Sequence, residues 1–229
     1  MTAGPPLIRS VLRASLLCLV AGYVDAFGYI MLDRVFAANM TGNTVLLAIA
    51  AAKGELVLMR AYVLTLSTFF LAAILGAILK RLFGRGAYLT LVLAAGLLFI
   101  AAAAEIERTW TLPFLAAAMG LQGSSISRFG PASLQTVVVT GTIVRLAEEL
   151  VQILVKARHG DATEEDRSTG VLFAVAWVFY AVGAGAGAVA LVVLSAPLIL
   201  PGFLLLAVAA DLAIEHQANK RRGPVSAAR

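Results

Sequence analysis

Residues 171–194 read VLFAVAWVFYAVGAGAGAVALVVL, a run without a charged side chain. At 1.5 Å per residue it makes a helix of about 36 Å, whereas the hydrocarbon core of a bilayer is about 30 Å thick. The whole chain follows this trend, because 61% of its 229 residues are hydrophobic, 14% are charged and the mean hydropathy is +0.92. Soluble domains are about 45–50% apolar and about 25% charged. The sequence therefore predicts an all-α polytopic membrane protein and excludes a soluble or disordered chain.

Hydropathy divides the chain into eight candidate segments, which are Val11–Leu32, Val35–Ala52, Leu56–Leu79, Ala87–Ala104, Thr109–Ser127, Ala132–Val155, Thr169–Ser195 and Leu198–Ile214. The second segment is cleanly apolar only over residues 45–52, about 12 Å of helix. The sixth carries several polar and charged side chains, namely Gln135, Thr136, Thr140, Thr142, Arg145, Glu148 and Glu149. We predict about six spanning helices and two broken or half helices.

The two polar segments occupy matching places in an internal repeat. Residues 21–25 read AGYVD and are followed by MTGNTV at 40–45, while MGLQG at 119–123 is followed by VTGTIV at 139–144. This spacing divides the chain into a first membrane repeat, 7–104, a second, 109–216, and a polar basic tail, 217–229. Three full crossings per repeat make the repeats inverted, whereas four make them parallel.

The basic loops favour six crossings over eight. Lys and Arg accumulate on the cytoplasmic side of membrane proteins. Six crossings place the compact basic loop 80–85 on that side, whereas eight crossings place it on the external side. Six crossings place both termini in the cytoplasm. Arg9 and Arg13 precede an apolar stretch that continues past Asp25, which predicts a retained first span and not a cleaved signal peptide. The net charge of +5 arises from these basic residues in loops and at the ends of the chain, so it does not indicate nucleic-acid binding.

Asp25 is an acidic side chain within the first apolar segment. A carboxylate at membrane depth costs about 2.5–3.5 kcal/mol on insertion scales unless it is paired, protonated or hydrated. Two interpretations remain open. Asp25 is a proton- or cation-coupling site, or it makes a structural hydrogen bond to the backbone or hydroxyls near Thr41.

The two Thr-Gly motifs also have two interpretations. Glycine and a capping Thr or Asn favour a helix break whose N-terminal amides face an anionic ligand. The alternative is a close helix crossing through small residues. The side chains predicted to converge near mid-membrane, in a substrate-binding or coupling site at the repeat interface, are those of Asp25, Asn39, Thr41, Asn43, Thr44, Gln122, Thr140, Thr142 and Arg145. Arg145, Glu148 and Glu149 also fit an ion cluster on a helix surface.

These motifs resemble those of the YoaK family of bacterial integral membrane proteins. The residues that carry the resemblance are AGYVDA at 21–26, MTGNT at 40–44 and VTGT at 139–142. The resemblance extends from about residue 10 to 214 and implies a bacterial inner-membrane protein of about six helices, without implying a substrate. Members tend to carry Gly-Leu-Gln-Asn where this chain has Gly123 after Gln122, so no role of that Asn is carried over.

The repeated polar breaks and the intramembrane acid predict a carrier of a small polar or anionic solute, proton-coupled through Asp25. A structural or regulatory membrane protein is the alternative. The sequence contains no metal-ligand spacing, phosphate loop or catalytic triad order, so no enzyme activity, metal or cofactor is predicted. Expected partners are the lipid bilayer and the solute. The spacing of Gly183 and Gly187 fits packing within one protomer or a homodimer.

Overall fold

The computed structural model of the chain describes residues 7–83, 87–103, 108–125, 128–129, 132–133, 140–159 and 164–221. In these ranges the helices are α1 (Leu7–Met31), α2 (Met40–Lys53), α3 (Leu56–Leu82), α4 (Ala87–Ala102), α5 (Arg108–Ser125), α6 (Thr140–His159), α7 (Glu164–Val193) and α8 (Ile199–Arg221). Two-residue strands, β1 (Arg128–Phe129) and β2 (Ala132–Ser133), pair antiparallel. The predicted helical class is confirmed.

Four of the described helices are long and apolar enough to cross a membrane. Their apolar parts are Ile8–Met31, Leu56–Leu82, Ser168–Val193 and Ile199–Ala218. The apolar helix Tyr88–Ala102 is shorter. Helix α1 is the central one, because 67% of its apolar window is buried against 17% for α3.

Helix α2 begins at Met40, directly after the residue that caps it. The side chain of Asn39 caps the helix by accepting the Gly42 N–H at 3.0 Å. At the other end Gly54 has a φ of 71°, a left-handed conformation that glycine adopts without a Cβ clash. The 14 residues of α2 give about 21 Å of helix, less than the hydrocarbon thickness.

Helices α1 and α7 pack closely in parallel through glycines. A Cβ on Gly183 would clash with the Leu19 carbonyl oxygen, and a Cβ on Gly187 would lie 2.5 Å from the Tyr23 carbonyl oxygen. Both contacts advance by four residues in the same direction, which defines parallel helices. The glycine pair of α7 is therefore occupied by α1 within the protomer.

Helices α3 and α5 make a second interface of the same kind. A Cβ on Gly120 would clash with the Phe69 carbonyl oxygen, and one on Gly76 would clash with Ser124 and lie 3.6 Å from Leu121 Cδ2. The residue numbers again rise together along both helices, so α3 and α5 are parallel.

Helix α8 runs antiparallel to α4. The ring centroids of Phe99 and Phe203 lie 5.2 Å apart, and those of Tyr88 and His216 lie 6.2 Å apart. Residue numbers therefore increase along α4 in the direction in which they decrease along α8.

Helix α8 is also antiparallel to α1. Arg9 Nε donates to Asp211 Oδ1 at 2.9 Å, and Tyr23 Oη donates to the Pro197 carbonyl at 2.7 Å. Helices α1 and α4 consequently point the same way.

Candidate functional site

Asp25 lies near the end of α1, and both oxygens of its carboxylate accept hydrogen bonds. Its side chain is 2% exposed. Oδ1 accepts the N–H of Ala38 at 2.6 Å and that of Asn39 at 3.2 Å, and Oδ2 accepts the Tyr180 hydroxyl of α7 at 2.6 Å. We call Asp25, Tyr180 and the amides of Ala38 and Asn39 the Asp25 cluster. It connects three parts of the fold, namely α1, α7 and the start of α2.

The connection between α1 and α2 folds back over α1 to deliver these amides. Asp33 and Arg34 have φ values of 55° and 63°, which reverse the chain directly after α1. A Cβ on Gly28 would lie 2.7 Å from the Val35 carbonyl oxygen, so the close approach of the connection requires a glycine there.

Asn43 fixes the same connection from the α2 side. Its side chain is fully buried. Oδ1 accepts the Phe36 N–H at 2.9 Å and Nδ2 donates to the Phe36 carbonyl at 2.7 Å, so both backbone groups of one residue are satisfied. The conformation before α2 is thus specified by Asp25 from one side and Asn43 from the other.

The two threonines of this motif lie outside the buried cluster. Thr41 is exposed at the protomer surface, and so is Thr44, whose hydroxyl donates to the Met40 carbonyl at 2.9 Å. The Gly42 N–H, one of the amides predicted to face an anionic ligand, donates instead to Asn39 Oδ1. Of the first-repeat candidates, the structure brings together Asp25, Asn39 and Asn43.

Gln122 contacts the same helix as Asp25 at another level. It is fully buried, and its Nε2 donates to the Leu17 carbonyl at 2.8 Å. Its Oε1 has no hydrogen-bond partner among the described residues. Leu17 precedes Asp25 by eight residues, or about 12 Å of helix, so Gln122 approaches α1 away from the Asp25 cluster.

The second Thr-Gly motif starts α6 at Thr140, whose side chain lies outside the described residues, as do Gln135, Thr136 and Val139. Thr142 is buried, and Arg145 is exposed at the protomer surface. Helix α6 packs on α7 near Gly170, where a Cβ would lie 3.2 Å from Ile153 Cδ1. Gly170 is ten residues, or about 15 Å, before Tyr180 on α7.

Sequence reasoning missed two elements of the arrangement. Tyr180 lies in an unbroken apolar run, where only its hydroxyl distinguishes it from core aromatics. Asp211, which the sequence does not connect to any partner, accepts hydrogen bonds from Arg9 and Arg13. These arginines are four residues apart, a spacing that places them on one face of α1. This shared face was the sequence signal from which a common acidic partner could have been predicted.

Two cavities lie near the end of α1. The first, about 300 Å³, contains Leu32, Asp33, Val57 and Arg60 in its lining. The second, about 320 Å³, contains Phe27, Thr111 and Leu198 in its lining. Asp25 lines neither cavity. Within the described ranges no three His, Cys, Asp or Glu side chains are grouped to hold a metal ion, and the absence of a cofactor stays a prediction.

The fold and the buried polar cluster together define a helical, membrane-embedded protein. The family model described as protein of unknown function (DUF1275) matches residues 13–210, and the chain belongs to this family. It is 32% identical to the UPF0700 transmembrane protein YoaK of Bacillus subtilis (strain 168) over 180 residues, which cover 74% of this chain and 79% of that protein. The resemblance predicted from the motifs is thereby confirmed. No solved structure matches the chain significantly.

Proposed function

We propose that the chain is a proton-coupled carrier of a small polar or anionic solute in the bacterial inner membrane. The observation that carries the proposal is the Asp25 cluster, in which a buried carboxylate joins α1 and α7 to the start of α2. Hydrogen bonds to an ionised carboxylate are about twice as strong as neutral ones. Protonation of Asp25 would therefore weaken the attachment of α2, which links proton binding to a change of conformation.

Helix directions support six crossings. Both α1 and α4 are antiparallel to α8, which agrees with six crossings, whereas eight crossings require α1 and α4 to oppose each other. The first cavity also supports this topology, because Leu32 follows α1 and Val57 starts α3, yet both line it. The segment between α1 and α3, which contains α2, therefore starts and ends at the same end of the bundle, as a re-entrant segment does.

Corresponding contacts support two inverted repeats. A shift of 98 positions relates Gly22 to Gly120, and a shift of 111 relates Phe69 to Tyr180. Gly22 approaches the Tyr180 carbonyl just as Gly120 approaches the Phe69 carbonyl. The same two shifts convert the contact between Gly187 and Tyr23 into that between Gly76 and Leu121.

The repeats differ where the proposed coupling residue lies. The shift of 98 takes Asp25 to Gly123, and Tyr180 corresponds to Phe69. The hydroxyl–carboxylate pair between Asp25 of the first repeat and Tyr180 of the second therefore has no counterpart between Gly123 and Phe69. We assign proton coupling to Asp25 for this reason. The orientation follows from the basic loops, with both termini in the cytoplasm, multiple passes and the end of α1 outside.

A reconstituted system tests this function. Purified protein in liposomes that contain a pH-sensitive dye is expected to produce proton flux when a transported solute from a broad polar and anionic panel is added. Protein-free liposomes give the background. The absence of solute-linked flux across the panel would favour the structural or regulatory alternative, in which the Asp25 cluster only stabilises the fold. We propose no enzymatic activity and no nucleic-acid partner; a homodimer stays a prediction.

A further inference from the structure

The second cavity lies where the two halves of the chain meet. Its lining includes Phe27 of α1, Ala101 of α4, Thr111 of α5, Leu191 of α7 and Leu198 of α8. These residues belong to the last turns of α1, α4 and α7 and to the beginnings of α5 and α8. We call this space the outer cavity, because the proposed topology places it at the external side.

The opposite end of α1 is closed by charged side chains. Arg13, whose side chain is 7% exposed, lies 2.5 Å from both Asp211 Oδ2 and Glu215 Oε2, while Arg9 Nη2 lies 2.6 Å from Asp211 Oδ1. We call Arg9, Arg13, Asp211 and Glu215 the ion-pair cluster. It joins α1 to α8 and balances two positive charges with two negative ones.

The cavity and the ion-pair cluster occupy corresponding places in the two repeats. The shift of 98 positions that relates Gly22 to Gly120 takes Arg13 to Thr111. Arg13 closes the contact between α1 and α8 at one end, and Thr111 lines the cavity beside α4 at the other. One of two repeat-related ends is therefore bridged by ion pairs while the other is open.

We propose that the outer cavity is the outward-facing binding site for a small uncharged polar solute and that the ion-pair cluster is its closed cytoplasmic gate. This inference rests on the proposed carrier function. Alternating access requires that one end close when the other opens, and separation of α1 from α8 would break the cluster. The gate is costly to open because removing a partner from a buried charge leaves that charge uncompensated.

The chemistry of the lining selects among the proposed solutes. Among the described residues that line the outer cavity, the polar side chains are the hydroxyls of Thr111 and Ser195, and none is ionisable. A charged solute would find no counter-ion among these described residues, whereas hydroxyls exchange hydrogen bonds with uncharged polar groups. A volume of about 320 Å³ suits a molecule of small-metabolite size.

Labelling from the outside tests the gate without requiring a known solute. Cys18, the only cysteine of the chain, is first replaced by serine, and Thr111→Cys is then introduced. The rate at which the new thiol at position 111 reacts with a small membrane-impermeant thiosulfonate is measured in intact cells. Asp211→Asn combined with Glu215→Gln should shift the population inward and slow labelling by up to about tenfold, the change in the inward–outward equilibrium constant that about 1.4 kcal/mol produces. Lys220→Gln, which removes an exposed charge from the same helix, should leave the rate unchanged.

A milder variant keeps the test independent of misfolding. Arg9→Gln removes the more exposed pair, so it should slow labelling in the same direction by a smaller factor. Equal labelling rates in the parent and all gate variants would overturn the proposal. Slower labelling in the gate variants together with no solute flux in liposomes would leave the gate supported and contradict the carrier function.

Discussion

Replacing two neighbouring glycines of α7 by alanine should have opposite effects on stability. At Gly183 a Cβ would clash with the Leu19 carbonyl oxygen and lie 2.8 Å from Leu19 C and Cα. At Gly185 no atom of the described residues lies within 4 Å of the added Cβ, apart from the neighbouring backbone of α7 itself. The two substitutions are chemically identical and lie in the same helix, so the difference between them isolates the contact between α1 and α7.

The size of the effect follows from these distances. Carbon atoms pack at about 3.5–4.0 Å, so α1 and α7 must separate by about 1 Å at Gly183, because backbone atoms cannot move aside as a side chain does. Overpacking of this kind costs about 1–3 kcal/mol. Alanine is favoured over glycine in a helix by up to about 1 kcal/mol. We expect Gly183→Ala to destabilise the protein by about 1–2 kcal/mol and Gly185→Ala to be neutral or stabilising.

The native cysteine provides the assay. Cys18 is the only cysteine and is 2% exposed, so a fluorogenic maleimide reports unfolding as detergent-purified protein is heated. At roughly 2–4 °C per kcal/mol for a chain of this size, Tm should fall by about 2–8 °C for Gly183→Ala. Equal Tm values for the two variants would refute the close packing of α1 on α7.

Two further predictions address topology and the start of α2. A cysteine at position 85, in place of Arg85, should react with an impermeant reagent only from the cytoplasmic side. A cysteine in place of Glu105 should react only from the external side. External labelling of position 85 would contradict six crossings. Asn43→Ala should lower stability by about 1–3 kcal/mol, because the amide and carbonyl of the half-buried Phe36 lose their partner. Thr44→Ala, at an exposed position, is the control for thermal unfolding, and an equal loss in both variants would refute the role of Asn43.

The helices and the start of α2 were predictable because their signals are local. Unbroken apolar runs determine the long helices, and Asn39 followed by Gly42 marks a capped helix start. The predicted mid-membrane convergence depended on longer-range geometry. Asp25 lies six residues, or about 9 Å, before the end of α1, so it bonds the connection that follows α1.

The partners of the buried charges were not predictable from local patterns. Arg9 and Asp211 are 202 positions apart, and Tyr180 is 155 positions from Asp25. Such pairs depend on which helix faces meet. A tyrosine in an apolar run gives no periodic signal, since its ring packs as phenylalanine does and only its hydroxyl is polar.

Solute-linked proton flux through an Asp25→Asn variant tests the carrier mechanism most directly. Asparagine keeps the shape of the side chain but cannot ionise, and Asp33→Asn removes an exposed carboxylate eight positions away as the matched control. In proteoliposomes the account predicts flux for the parent protein and for Asp33→Asn, and flux at the protein-free level for Asp25→Asn. Undiminished flux in Asp25→Asn would contradict it.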